Sequence, residues 1–129
     1  MNLSYVILYV RNVTRSIEFY ERAFKLTRRF VSPENDYAEM ETGATALAFV
    51  TADVVRPTLP GGFTDNDPQR PPAGIEIAFT TPDVPAAYAW AVQQGATSVH
   101  DPLTKPWGQT VAYVRDLDGV LVEIASPMS

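Results

Sequence analysis

The sequence predicts an α+β fold of two β-α-β-β-β modules, whose curved, mostly antiparallel sheets surround a cavity. Residues 5–13 can be laid over residues 76–84, an offset of 71 residues or about half of the 129-residue chain. Self-similarity at a fixed offset is typical of a repeated unit. In each half a β-rich run leads into a helical stretch and then into three further short β-rich runs. We therefore expect a single domain over 1–129, with modules at about 1–51 and 74–127.

The first module opens with a strand that leads into a helix predicted over 14–25. Ile17, Tyr20 and Phe24 recur at helical spacing and form one apolar stripe. Asn12 or Thr14 can cap the start of this helix. The predicted strands of the module are 5–10, 28–32, 36–42 and 45–51.

Residues 52–73 interrupt the pattern with several prolines and a Gly61-Gly62 pair. This composition predicts a long loop between the modules, and such loops often act as linkers or lids. Phe63 is an apolar residue in the middle of it, which favours a lid.

The second module repeats the order of the first. Asp83 is a good N-cap for a helix that runs to about Gln94, and Gly95 is placed to end it. The segment 116–119, Asp-Leu-Asp-Gly, predicts a turn with glycine at the position that needs positive φ. The predicted strands of this module are 74–80, 96–100, 109–115 and 119–125.

Composition excludes several classes of function. A net charge of −5 argues against nucleic-acid binding and suits either solubility or a cationic ligand. The absence of cysteine excludes disulfides, thiolate catalysis and cysteine-ligated metals. Without an export signal or a membrane-spanning stretch, a cytoplasmic location with no membrane partner is the expectation.

Strand alternation predicts which side chains lie under the helices and which face the cavity. The aliphatic sets should pack under the helices: Val6, Leu8, Val10, Ile75, Ile77, Phe79, Val120, Val122 and Ile124. The opposite sets should face the cavity: Tyr5, Ile7, Tyr9, Glu76, Ala78, Thr80, Leu121 and Glu123. Glu76 and Glu123 would then be carboxylates on a concave surface, which is costly unless they are paired, hydrated or metal-bound. An exposed rim position or an arginine partner is the alternative.

Two segments resemble the vicinal oxygen chelate superfamily, which includes glyoxalases, bleomycin resistance proteins and extradiol dioxygenases. One runs from Tyr5 to Tyr20, and the other, 112–124, is a strand, an Asp-x-Asp-Gly turn and a strand ending in Glu. The resemblance implies the glyoxalase/bleomycin resistance fold. It also implies four equivalent positions for metal ligands, which fall here on Tyr5, Ala48, Glu76 and Glu123.

This ligand set departs from that of metal-dependent members. Ala48 has no donor atom, and the Tyr5 phenol is a poor ligand near neutral pH. His100, the one histidine, falls outside the four positions and is expected at the surface, at a strand end. The expectation is no tight metal, although Glu76 and Glu123 could hold Mg²⁺ or Mn²⁺ weakly. Extradiol chemistry needs two histidines and a carboxylate, and is excluded.

The leading hypothesis is a metal-free protein of the antibiotic-resistance type that sequesters a planar or cationic small molecule. The alternatives are a divalent-metal-dependent lyase or isomerase with Glu123 as general base, and a domain kept for pairing with another protein. The resemblance also implies a homodimer. The predicted ligand-binding residues are Tyr5, Ile7, Tyr9, Ala48, Phe63, Glu76, Trp107, Tyr113 and Leu121.

Overall fold

The computed structural model describes residues 1–128 and divides into two compact units, Met1–Asp65 and a second that begins at Asn66. Each unit contains one four-stranded mixed sheet with a helix packed against it, which confirms the predicted α+β class. The strands are β1 (Tyr5–Val10), β2 (Thr27–Val31), β3 (Tyr37–Glu41), β4 (Ala46–Thr51), β5 (Glu76–Thr80), β6 (Thr97–Thr104), β7 (Thr110–Arg115) and β8 (Leu121–Ala125). The helices are α1 (Val13–Phe24), α2 (Ala52–Val55) and α3 (Val84–Gln93). None of the helices within residues 1–128 is long and apolar enough to cross a bilayer.

In the first unit the strand order is β1-β4-β3-β2, with β1 and β4 parallel and the other pairs antiparallel. Helix α1 begins where the Asn12 side chain accepts a hydrogen bond from the Arg15 N–H at 3.0 Å. Its apolar stripe packs on the sheet, where the rings of Tyr20 and Phe49 lie 5.0 Å apart. Both rings are fully buried, so this stripe forms the core of the unit.

In the second unit the order β5-β8-β7-β6 repeats that of the first, which confirms that the two halves share one topology. Asp83 caps α3 by accepting from the Ala86 N–H at 3.1 Å, and Gly95 follows the helix with φ of 117°. Ile75 was predicted to lie under the helix, but it precedes β5 and is 65% exposed. That prediction was wrong because the strand begins one residue later than the apolar run.

Strand β6 runs to Thr104, although the sequence predicted its end at His100. Asp101-Pro102 resembles a turn, but proline is tolerated in an edge strand, where no ladder N–H is needed on the outer side. The pairing of β6 with β7 shifts register between Ser98 and His100 and again between His100 and Leu103. The second of these shifts spans Pro102, so the strand is irregular where the proline lies.

The segment predicted as a loop over 52–73 contains α2 and a 3₁₀ turn, Arg56–Thr58. The Arg56 guanidinium binds Asp53 at 2.8 Å and Asp65 at 2.6 Å, and it lies 4.8 Å from the centroid of the Phe63 ring. Phe63 packs edge-on against Tyr9 with 4.8 Å between ring centroids. These contacts hold the first part of the segment on the first unit.

The next part of the segment is held on the second unit by Arg115. Its guanidinium donates to the backbone oxygens of Gly119 at 2.9 Å, Asp67 at 3.0 Å and Pro68 at 3.3 Å. Gly119 has φ of +92°, as the turn prediction required, and it lies directly against Asp67 and Pro68. The hairpin that joins β7 to β8 is therefore fixed at its tip.

Candidate functional site

The open face of the second sheet, opposite α3, brings together Glu76, Tyr113 and Glu123. In the ladder Glu123 on β8 is the partner of Ala78 on β5 and of Tyr113 on β7, and Cα partners share one face. Glu76 lies two residues before Ala78 and so projects from the same face. Strand alternation predicted this placement of both carboxylates.

These three side chains form one electrostatic cluster, which we call the Glu76–Glu123–Tyr113 cluster. The Tyr113 hydroxyl donates a hydrogen bond to the Glu123 carboxylate, and this bond raises the pKa of Tyr113 to about 12. Burial and the negative charges of Glu123 and Glu76 raise it in the same direction. The pKa of Glu76 is raised first by desolvation and then by the negative charge of Glu123 and a hydrogen bond with it. Within residues 1–128 no Lys or Arg side chain forms an ion pair with either carboxylate. The arginine-paired alternative is therefore not what the structure shows.

His100 lies beside this cluster within β6, where its Cα partner is Tyr113. The expectation of a strand-end position was wrong, because β6 continues beyond Pro102. Its Nδ1 lies 2.6 Å from the Asp101 carbonyl oxygen and donates a hydrogen bond to it. The ring is exposed, so this hydrogen bond fixes it at the surface of the edge strand.

On the open face of the first sheet, strand β1 carries aromatic and aliphatic side chains. Tyr5 is 50% exposed and Ile7 is 44% exposed, and Tyr9 is covered in part by Phe63. Ala48 belongs to the same face but is fully buried, between Ile7 on β1 and Glu39 on β3. The strand residues predicted in this unit thus lie on the expected face, and Ala48 presents no surface to a ligand.

Sequence reasoning missed a second phenol–carboxylate pair, Tyr37 with Glu39, on the open face of the first sheet. The Tyr37 hydroxyl donates to Glu39 at 2.6 Å, and burial together with this bond raises the pKa of Tyr37 well above its usual range. Arg29 lies 3.6 Å from the same carboxylate, whose side chain is only 14% exposed. The alternation of β3, with Ala38 and Met40 on the buried side, could have placed Glu39 here.

Of the other two residues predicted in the second unit, Leu121 lies next to the cluster and Trp107 lies away from it. Trp107 lies in the turn between β6 and β7, where its indole N–H donates to Gln109 at 3.0 Å. Leu121 is the ladder partner of both Glu76 and Arg115. Leu121 therefore borders the cluster, whereas the indole of Trp107 forms its hydrogen bond within its own turn.

Over the part of the chain that is described, no three His, Cys, Asp or Glu side chains converge on one point. Tight sites for zinc or non-haem iron need at least three protein ligands. Glu76 and Glu123 alone provide two carboxylates, a donor set suited at most to weak binding of a hard cation.

Comparison with known proteins identifies the lineage of the fold. The family model of the Glyoxalase/Bleomycin resistance protein/Dioxygenase superfamily matches residues 2–124. Among solved structures, a glyoxalase-related enzyme from Fulvimarina pelagi has a TM-score of 0.83 at 18% identity, covering 98% of this chain and 88% of that one. A glyoxalase/bleomycin resistance protein/dioxygenase family enzyme from Burkholderia phytofirmans PsJN has the same score and identity, covering 99% and 100%. TioX from Micromonospora sp. ML1 has a TM-score of 0.74 at 20% identity, covering 99% and 100%. At these identities the likenesses show the fold alone.

Proposed function

We propose that this chain, which belongs to the Glyoxalase/Bleomycin resistance protein/Dioxygenase superfamily, binds a small planar or cationic molecule without a tightly held metal. The observation that carries the proposal is the Glu76–Glu123–Tyr113 cluster. Its two carboxylates are close enough for the charge of Glu123 to raise the pKa of Glu76. An ammonium or a delocalised organic cation would provide the positive charge that this pair lacks.

The physical chemistry of the cluster favours a cation over a neutral ligand. A positive charge near both carboxylates favours the ionised form of Glu76, opposing the desolvation and the repulsion from Glu123 that raise its pKa. The Tyr113 ring adds a face that attracts cations, worth about 0.5–2 kcal/mol. The net charge of −5 assists the approach of a cation by long-range attraction.

The first unit supports binding of a planar group. Its open face exposes Tyr5 and Ile7, with Phe30 on β2 49% exposed. Tyr5 and Ile7 on β1 and Phe30 on β2 lie at opposite edges of the sheet, and exposed aromatic side chains of this kind can stack on a ligand ring. Flat rings bury such surface with little loss of internal freedom, which suits a planar ligand.

The alternative, a lyase or isomerase using weakly bound Mg²⁺ or Mn²⁺ with Glu123 as general base, is favoured by the same carboxylate pair. A divalent cation would neutralise the two carboxylates as an organic cation would. Antibiotic resistance, a homodimer and a cytoplasmic location are further parts of the proposal, and they rest on the family resemblance.

A binding measurement on metal-free protein separates these functions. The protein is produced with ¹³C-labelled tyrosine and treated with a chelator, and elemental analysis confirms that no metal remains. It is then titrated with proflavine, a planar cation. Saturable binding with a shift of the Tyr113 resonance, unchanged by chelation, is the expected result. Binding or turnover that requires added Mg²⁺ or Mn²⁺ would support the enzyme instead. If proflavine bound saturably neither to the metal-free protein nor to the protein with added Mg²⁺ or Mn²⁺, both the binding function and the enzyme function would be refuted.

A further inference from the structure

A cleft at the end of the second sheet lies outside the cluster described above. It has a volume of about 320 Å³, which is at the lower end of the range for small-molecule sites. Its walls come from the turn between β6 and β7 and from the segment that follows β8: Trp107, Gly108, Gln109, Pro127 and Met128. None of these side chains is charged, and two of them, Trp107 and Met128, offer large apolar surfaces.

Trp107 is exposed but held in a fixed orientation. The side chain is 63% exposed, and its indole N–H donates to the Gln109 carboxamide oxygen at 3.0 Å. The Gln109 amide nitrogen donates in turn to the Ser126 carbonyl at 2.9 Å. Ser126 is itself fixed by reciprocal hydrogen bonds with Thr110, at 2.8 and 2.9 Å. An indole ordered in advance loses little further freedom when a ligand ring stacks on it.

Lys105 does not line the cleft, but it places a positive charge beside the ring of Trp107, which does. Its ammonium lies 6.0 Å from the centroid of the Trp107 ring. The backbone of Lys105 is held as well, because its N–H donates to Gln109 and its carbonyl accepts from Gly108, both at 2.8 Å. A cation beside the ring disfavours a second cation there and attracts an anionic substituent. The cleft thus has the opposite charge preference to the Glu76–Glu123–Tyr113 cluster.

We propose that this cleft binds a planar aromatic carboxylate of one or two rings. The ring stacks on Trp107 between the indole and Met128, and the carboxylate points towards Lys105. This site goes beyond the proposed function, since it uses other residues and the opposite ligand charge. Experiments can therefore refute the proposal for one site and leave the proposal for the other unaffected.

The three methionines of the chain allow a direct test by NMR. The full chain is labelled with ¹³C-methyl methionine and titrated with 4-nitrobenzoate, and Met128 is assigned with an M128L variant. A ring stacked in the cleft should shift the Met128 methyl resonance saturably, with a dissociation constant on the order of 1 mM for a ligand of this size. Met40, fully buried in the first unit, should not move, and the exposed Met1 reports non-specific binding. Equal, non-saturating shifts at Met1 and Met128 would overturn the proposal.

Matched variants test whether the ring of the ligand contacts Trp107 and whether its carboxylate lies near Lys105. Trp107→Leu should weaken 4-nitrobenzoate binding about tenfold, whereas Trp90→Phe, which changes the other tryptophan, on α3, should leave it unchanged. Lys105→Gln should weaken 4-nitrobenzoate about threefold and reduce the preference for it over 4-nitrobenzylammonium. If Trp107→Leu and Trp90→Phe gave the same affinity, or if the cationic probe bound the native chain more tightly, the site would not be the one proposed. Far-UV circular dichroism of each variant confirms that it is folded.

Discussion

Replacing Gly119 by alanine tests the contact that fixes the β7–β8 hairpin, which carries Tyr113 and Glu123. Alanine at φ of +92° costs about 1–2 kcal/mol for the backbone conformation alone. Its Cβ would lie 2.7 Å from the backbone of Asp67 and Pro68 and 2.8 Å from the Arg115 guanidinium. These distances are too short, so the 67–68 backbone must move away from the hairpin.

That movement breaks the hydrogen bonds from Arg115 to Asp67 and Pro68. After a discount for partial exposure, we assign their loss about 2 kcal/mol in total. The expected destabilisation by Gly119→Ala is therefore about 3–4 kcal/mol. Gly108→Ala is the matched control, because Gly108 has φ of +94° and no atom lies within 4 Å of the position that an alanine Cβ would take. It should lose only the backbone contribution, about 1–2 kcal/mol.

Urea denaturation followed by circular dichroism measures both variants under the same conditions. Gly119→Ala should be the more destabilising of the two by about 2 kcal/mol. Equal losses of stability would refute this reasoning, because the close approach of 67–68 to the hairpin would then contribute nothing.

Three further predictions concern the cluster and the helix cap. Glu123→Gln should lower the pKa of Tyr113 from about 12 towards the ordinary value near 10, since the charged acceptor is lost, and ¹³C-tyrosine NMR titration measures the change. The fold raises the pKa of Glu76, so ionisation of Glu76 opposes folding as the pH rises above 4.5. Urea denaturation should therefore show that Glu76→Gln stabilises the chain more at pH 7 than at pH 4. Equal changes in stability at the two pH values would contradict this prediction. Asn12→Ala should cost about 1 kcal/mol by removing the cap on the Arg15 N–H, and Asn12→Asp, which keeps the acceptor, should cost much less in thermal denaturation.

Much of the fold could be predicted because local signals and tertiary packing agree. The stripe of Ile17, Tyr20 and Phe24 predicts α1, and Asn12, one of the two caps that the sequence allows, is the residue that caps it. The Asp83 cap and Gly95 likewise bound α3. Elements of this kind carry their own start and stop signals, so a single sequence suffices.

The elements that were mispredicted depend on long-range pairing. Strand β6 passes through Asp101-Pro102 because pairing with β7 outweighs a local turn signal. The helical turn α2 is held by Arg56, which binds Asp65 across nine residues and lies over the Phe63 ring. Such contacts have no periodicity that a sequence alone reveals.

The candidate site was predicted in part for the same reason. Alternation on β5 and β8 places Glu76 and Glu123 on one face, because the side-chain period of a strand is two. The link through Tyr113 depends on the register of β7 against β8, and the Tyr37–Glu39 pair lies on a strand that family motifs do not single out. Both contacts could be identified only once the pairing of the strands was known.

The most direct test of the proposed cation site is the affinity of the metal-free chain for proflavine when both carboxylates of the cluster are neutralised. Equilibrium dialysis at low salt compares the native chain with the double variant Glu76→Gln/Glu123→Gln. Glu18→Gln/Glu34→Gln, which changes two exposed residues of the first unit, controls for the loss of two negative charges. We expect at least about tenfold weaker binding in the double variant, equivalent to about 1.4 kcal/mol, and less than about twofold in the control. Equal affinity in all three proteins would contradict the proposal that this cluster binds the cation.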